Sequence, residues 1–309
     1  MTKYIIFSFS IVFFFVTISS WWEKQLKITF CDVGQGDATL ISVGSTQLLI
    51  DAGPNQKVLT CLENQLPFWD RKIEFFILTH MDADHIGGAP EVLSYYQVDY
   101  VFMNPSNKKT SDFALLEEAV SRKMMSGTRR LYSFIGQSIV LDSLVSLTVI
   151  NPNYDFPQVI QPIFSQTEAM LSDANSQIIE EKLAKISENN LSIALLLTYK
   201  KVRIILPGDL EKDGELAVMP IGLPEQISIL KAGHHGSKSS STPGFISLLR
   251  PEITVISSGK NNAYGHPNPQ VINTFRDFGV SIYQTSNSGD VTFVSDGYHF
   301  WEIKRHIFW

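Results

Sequence analysis

The chain has 309 residues, the span of one large or two modest domains, and its 44% hydrophobic and 18% charged content excludes wholesale disorder. Lys plus Arg number 25 against 31 Asp plus Glu, so the formal net charge is −6, which argues against a broad basic face for gripping nucleic acid. An enzyme that meets a phosphodiester in one local cleft stays open. Two cysteines, Cys31 and Cys61, are too few for a disulfide scaffold and fit either one bridge or two free thiols.

Residues 1–22 differ from the rest. Tyr4 to Trp22 is a run of 19 uncharged residues, 14 of them apolar or aromatic, behind Lys3. As a helix it would reach about 28 Å, close to the hydrocarbon thickness of a bilayer. It reads as a signal peptide, with Thr17, Ser19 and Ser20 offering a cleavage site, or as an uncleaved anchor, with Trp21 and Trp22 at the interface. Either reading places the protein outside the cytoplasm, secreted or anchored.

From Leu26 onward, short apolar runs alternate with turn residues. Strands are predicted at Leu26–Cys31, Ala38–Val43 and Gln47–Ile50, with Gly44-Ser45 turning between the last two. Ile73–Thr79 is nearly continuous in apolar character, as expected for a strand buried on both faces. Ser111 is placed to cap a helix carrying Phe113, Leu116, Val120 and Met124 at helical spacing. Further strands are predicted at Ser138–Leu141, Val145–Ile150, Ile193–Tyr199, Val202–Leu206, Ile227–Lys231, Ile253–Ser257 and Val291–Val294. The polar stretch from Asn151 to Asn190 reads as a flap with a helix around Glu168–Ile186. Strands in runs with a few helices between them indicate two packed sheets with helices outside, an α/β sandwich over residues 26–309.

Thr79-His80-Met81-Asp82-Ala83-Asp84-His85-Ile86-Gly87-Gly88 carries the strongest chemical signal. It leaves a buried strand with four metal-capable side chains, and imidazole with carboxylate suits divalent ions such as Zn²⁺ or Mn²⁺. His80 and Asp82 can share one ion, and Asp84 and His85 a second. Three later clusters also follow strands: Pro207-Gly208-Asp209, Lys231-Ala232-Gly233-His234-His235-Gly236-Ser237 and Gly265-His266-Pro267. Strand ends on one edge of a sheet converge, which lets residues this far apart in sequence build one site.

Together with Asp32-Val33-Gly34-Gln35-Gly36-Asp37-Ala38 and Leu49-Ile50-Asp51-Ala52-Gly53, these motifs occur in an order that resembles the metallo-β-lactamase-fold domain of ComEC-like DNA-uptake proteins. The resemblance covers roughly Leu26 to Val294. It implies an αββα sandwich with a two-metal site between the sheets. His80 and Asp82 would bind the first ion, Asp84 and His85 the second, Asp209 would bridge, and His234 or His235 would complete the second. The Asp at position 82 matches the ComEC-like branch and argues against a true β-lactamase. A superfamily His expected before the bridging Asp has no counterpart, since Asn189-Asn190-Leu191-Ser192 stands there. The first ion is thus expected to be weakly held, or its coordination filled with water. The multi-span channel of ComEC is also missing, so a free-standing hydrolase domain is implied.

Two divalent ions lower the pKa of a bridging water and neutralise a phosphoryl oxygen, so the expected activity is phosphodiester hydrolysis, with DNA as substrate. Asp84 or Asp209 is expected to orient the water, and His266 to protonate the leaving group or contact a phosphate. Asn190, Ser192, Ser237 and Lys238 are the candidate substrate contacts. A cell-envelope phosphoester, another ester or a lactam on the same fold is the alternative substrate, and a degenerate binding module the alternative without catalysis. No protein partner is evident.

Overall fold

Alternation of apolar residues along each strand assigns its two faces to different layers. The computed structural model describes residues 25–152 and 186–303. The apolar leader, the expected helix at Glu168–Ile186 except its last residue, and the chain beyond Ile303 lie outside the described residues. Among the described residues no helix is long and apolar enough to cross a membrane.

The first half of the chain supplies β1 (Leu26–Phe30), β2 (Thr39–Val43), β3 (Thr46–Ile50), α1 (Lys57–Gln65), β4 (Lys72–Ile77), α2 (Ala83–Ile86), α3 (Ala89–Tyr95), β5 (Gln97–Phe102), α4 (Ser111–Met124) and β6 (Arg129–Leu131). The second half supplies β7 (Ser138–Asp142), β8 (Val145–Asn151), β9 (Ala194–Tyr199), β10 (Val202–Leu206), α5 (Lys212–Val218), β11 (Ile229–Lys231), α6 (Pro243–Leu249), β12 (Ile253–Ile256), α7 (Pro269–Asp277), β13 (Ser281–Gln284), α8 (Thr285–Ser288), β14 (Val291–Ser295) and β15 (Phe300–Glu302). One sheet runs β15-β14-β1-β2-β3-β4-β5-β6, the other β13-β12-β11-β10-β9-β8-β7.

Leu26, Ile28 and Phe30 of β1 and Leu48 and Ile50 of β3 face Leu147, Val149, Leu195, Leu197 and Ile204 in the core between the sheets. Leu49 and Phe76 point the other way and pack with Val58 and Leu62 of α1, Val92 and Leu93 of α3, and Leu116 and Val120 of α4. Ile205, Leu230 and Ile256 pack outward against Val218 of α5, Phe245 and Leu249 of α6, and Phe275 of α7. The result is the expected helix–sheet–sheet–helix stack. Each fully buried Leu, Ile or Phe contributes about 1.5–3 kcal/mol of transfer free energy.

Most expected strands lie within two residues of those observed. β5, β6, β13 and β15 were not expected. The N-cap of α4 is Thr110, whose side chain accepts from the Phe113 amide, rather than Ser111, which begins the helix. Cys31 and Cys61 form a disulfide that ties the end of β1 to α1.

β3, β4 and β5 are mutually parallel, as are β10, β11 and β12. Loops after their C-terminal ends carry Asp51, the Thr79–Gly88 motif, Asp209, the twin histidines and His266, so both sheets deliver chemistry to one edge, where ligands of open α/β sheets gather.

Candidate metal centre and active-site cleft

Two tight loops shape the edge. Gly36 has a positive φ of 141°, and a Cβ there would lie 2.2 Å from the Asp84 carbonyl oxygen. That close approach lets the Asp37 amide donate to the same carbonyl at 3.1 Å. From the other side the Ala52 amide donates to the His85 carbonyl at 2.7 Å, so the turn bearing Asp84 and His85 is clamped by backbone. His234 and His235 both adopt left-handed backbone (φ 46° and 54°), a strained state of the kind concentrated at functional sites.

Four side chains meet at the centre. His85 Nε2 lies 3.3 Å from Asp209 Oδ1 and 3.3 Å from His235 Nε2. His235 Nε2 lies 3.4 Å from Asp209 Oδ2 and 3.2 Å from Asp84 Oδ2. Both rings are anchored from behind. His85 Nδ1 donates to Asp51 Oδ2 at 2.7 Å, and His235 Nδ1 to the Ser257 carbonyl at 3.0 Å. Those partners hold each ring from its Nδ1 side and leave both Nε2 atoms facing inward, the usual arrangement of metal-binding histidines. Asp51, itself at φ 57°, also accepts from the Thr79 amide and hydroxyl, each at 2.8 Å.

Two imidazole nitrogens and two carboxylates on one point fit a divalent ion with mixed nitrogen and oxygen preference. Asp209 Oδ1 is buried without a hydrogen-bond partner, as expected of an atom arranged for a cation. Burial pushes the His85 and His235 pKa values down, but Asp209, Asp51 and Asp37 outweigh it and raise both well above the usual range. Burial likewise pushes Asp209 up, and the two histidines more than reverse it. Ligand atoms of Asp37, His85, Asp209 and His235 all lie within 4.8 Å of one another. The Asp37 oxygens, however, face Lys231 Nζ and the Nδ1 side of His235 at 3.4 Å, so Asp37 backs the rings rather than joining their inner face.

His80 and Asp82 form a second, sparser pair beside the first cluster. The His80 and His85 rings stand 4.1 Å apart between centroids. His80 Nε2 is buried without a hydrogen-bond partner, 3.6 Å from Asp82 Oδ2. On its far side His80 Nδ1 contacts Thr79 Oγ1 at 3.1 Å. Burial raises the Asp82 pKa, but His80 and the ammonium of Lys108, ion-paired to Oδ1, hold it well below the carboxylate range.

The twin histidines diverge. His235 is buried in the cluster, whereas His234 is half-exposed, its Nε2 3.8 Å from Asp209 Oδ2 and its Nδ1 3.4 Å from Glu211 Oε1. Asp84, Asp209, His234, His235 and His266 line a cleft of about 580 Å³, together with Lys57, Asn189 and Tyr264. Burial and the neighbouring His234 and His235 push the His266 pKa down. Tyr264 is 71% exposed and stacks on His266 with ring centroids 5.8 Å apart.

The expected substrate contacts sit elsewhere. Asn190 is buried, its Oδ1 accepting from the Glu211 and Gly214 amides at 3.0 and 3.2 Å. Ser192 is buried and its Oγ accepts from the Asp209 amide at 3.1 Å. Ser237 is buried with its Oγ 3.0 Å from Ser239 Oγ, and Lys238 is exposed outside the cleft lining. Asn190 and Ser192 therefore hold the Asp209 loop in place, and Asn189, one residue earlier, faces the cleft. Sequence reasoning gave no role to Asp37, Asp51, Thr79, Lys231 or Lys108. An acid ending an apolar run, as in Leu49-Ile50-Asp51, was the available signal for Asp51.

Residues 31–260 match the family model of the metallo-β-lactamase superfamily. The chain is 25% identical over 301 residues to ComE operon protein 3 of Bacillus subtilis, covering 91% of this chain and 34% of that protein. It is 27% identical over 294 residues to recombination protein 2 of Haemophilus influenzae, covering 92% and 31%. It is 24% identical over 273 residues to competence protein ComA of Neisseria gonorrhoeae, covering 88% and 32%. The chain thus spans about a third of the length of these curated relatives. Among solved structures, the metallo-β-lactamase fold protein YhfI of Bacillus subtilis superposes with a TM-score of 0.50 at 10% identity, over 90% of this chain and 100% of that one. CmlA, a diiron β-hydroxylase of Streptomyces venezuelae, superposes with a TM-score of 0.51 at 10% identity, over 91% and 54%. At such identities the two structures speak to the fold alone. The chain belongs to the metallo-β-lactamase superfamily, and most of its length is similar in sequence to about a third of these three longer proteins.

Proposed function

We propose that the protein is a metal-dependent phosphodiester hydrolase acting on DNA outside the cytoplasm. The carrying observation is the convergence of Asp84, Asp209 and His235, which line the cleft, with buried His85 behind them. A divalent ion there, Zn²⁺ or Mn²⁺, would lower the pKa of a bound water toward neutrality and neutralise charge on a phosphoryl oxygen. Asp84, whose Oδ2 lies 3.2 Å from His235 Nε2, would orient that water. His266, in the cleft lining, would offer a ring nitrogen to the phosphate or the leaving oxygen. Lys57 adds a cation to the cleft lining, and exposed Tyr264 offers a face on which a nucleobase can stack.

The substrate class is supported by the competence and recombination names of the relatives. Export is supported by the apolar run Tyr4–Trp22, which supplies contact with a membrane, and by the disulfide, a bond typical of oxidising compartments. The net charge of −6 favours, as the second reading, a small cell-envelope phosphoester on the same site. A panel of single-stranded DNA, double-stranded DNA, bis-nitrophenyl phosphate and nitrocefin separates them. Hydrolysis of DNA and of the nitrophenyl diester is expected, abolished by chelation and by Asp84→Ala. Full phosphodiesterase activity in a folded Asp84→Ala protein would sink the assignment.

A further inference from the structure

The first metal position carries a cation of its own. Its two protein donors are His80 and Asp82, and the sequence offers Asn190 and Ser192 where a third is expected; both are committed to backbone amides around Asp209. Asp82 is committed too, because Lys108 Nζ forms an ion pair with its Oδ1. This lysine is held in place by a relay. The Lys108 amide donates to Ser106 Oγ at 3.1 Å, and Ser106 donates to Glu188 Oε1 at 2.8 Å. Glu188 Oε1 also accepts from the Met81 amide at 3.1 Å, inside the metal-binding motif itself. The loop after β5 is thereby fastened to the turn that carries Asp82.

We propose that Lys108 fills the charge role of the first metal ion, so that this chain binds one divalent ion per molecule, at Asp84, His85, Asp209 and His235. The inference rests on the reading of the site as a metal hydrolase and replaces the two-ion arrangement implied by resemblance. An ammonium paired to Asp82 repels a divalent cation approaching His80, and it removes half of a donor pair that is already one ligand short. His80 and Asp82 remain arranged as donors, so removing the ammonium should restore a second site.

The test is metal stoichiometry of the full chain, stripped with chelator, reloaded with excess Zn²⁺ and freed of unbound metal before elemental analysis. One Zn²⁺ per chain is expected for the wild type and for Lys108→Arg, and two for Lys108→Gln. The double variant Lys108→Gln/Asp82→Asn should return to one, which locates the gained ion. Lys108 is partly exposed, so its replacement should leave the fold intact, checked by circular dichroism. Two ions in the wild type, no gain in Lys108→Gln, or a gain that survives Asp82→Asn would overturn the proposal. A wild type that binds no Zn²⁺ would instead overturn the hydrolase reading beneath it.

Discussion

His234 and His235 are neighbours with nearly the same backbone conformation, yet only one reaches the inner cluster. At φ 46° and 54° the chain turns so sharply that the two rings leave in different directions, their planes 69° apart. Replacing His235 with Ala removes one of four donors and should weaken Zn²⁺ binding by at least 10-fold, with loss of hydrolysis. Replacing His234 with Ala should leave Zn²⁺ stoichiometry unchanged, so calorimetric titration of the two variants distinguishes them. Sequence alone left the choice open because spacing carries no φ. The same limit explains the substrate contacts. Asn190, Ser192 and Ser237 stand in the right loops, but a hydroxyl or amide beside a metal motif can equally satisfy buried backbone, and here each is engaged inward. Ligand types at fixed spacing after a strand were legible; the groups that hold them from behind were not.

At the scale of elements, one contact joins the two sheets beneath the site. Lys231 ends β11, Asp37 lies in the loop before β2, and their buried charges pair. Burial pushes the Asp37 carboxyl up, but Lys231, His235 and His85 outweigh it and hold it well below its ordinary value of 3.8. Burial also pushes the Lys231 amine down, and Asp37 and Asp209 more than reverse this, raising it above its ordinary 10.5. The depressed acid contributes stability that is present above about pH 3.8 and fades as pH falls below it. The raised amine contributes stability that is present below pH 10.5 and fades as pH rises beyond it. Lys231→Met should cost about 3–5 kcal/mol at neutral pH by stranding a buried carboxylate. Lys231→Met/Asp37→Asn should recover part of that in denaturant titration. Where the sequence reading missed elements, the strands are short or mixed. β6 is Arg129-Arg130-Leu131, β15 has only Phe300-Trp301-Glu302, and Asp99 interrupts β5. Such strands form because a neighbour offers hydrogen bonds, and no periodicity announces that.

For the molecule as a whole, the order of motifs gave the layered architecture because each motif follows a strand and so fixes where that strand must end. The pairing of Cys31 with Cys61 was not legible, since 30 residues of separation fit a bridge or two thiols equally. A loop of that length closes with about 3–4 kcal/mol of chain-entropy stabilisation. Cys61→Ser should therefore lower the melting temperature by roughly 5–10 °C while hydrolysis persists, and reduction of the wild type should give the same shift in a thermal scan.

The direction of β1 has a spatial consequence. Phe30 pairs with Thr39, and Thr39 with Ile50, at the end of the sheet where the metal donors gather; Leu26 pairs with Val43 and Ser295 at the other end. Leu26 and the edge that carries the donors therefore lie a strand's length apart, about 17 Å at 3.3 Å per residue. The chain thus enters the described fold at the pole opposite the donor cluster, which leaves the mouth of the cleft unencumbered by that entry point.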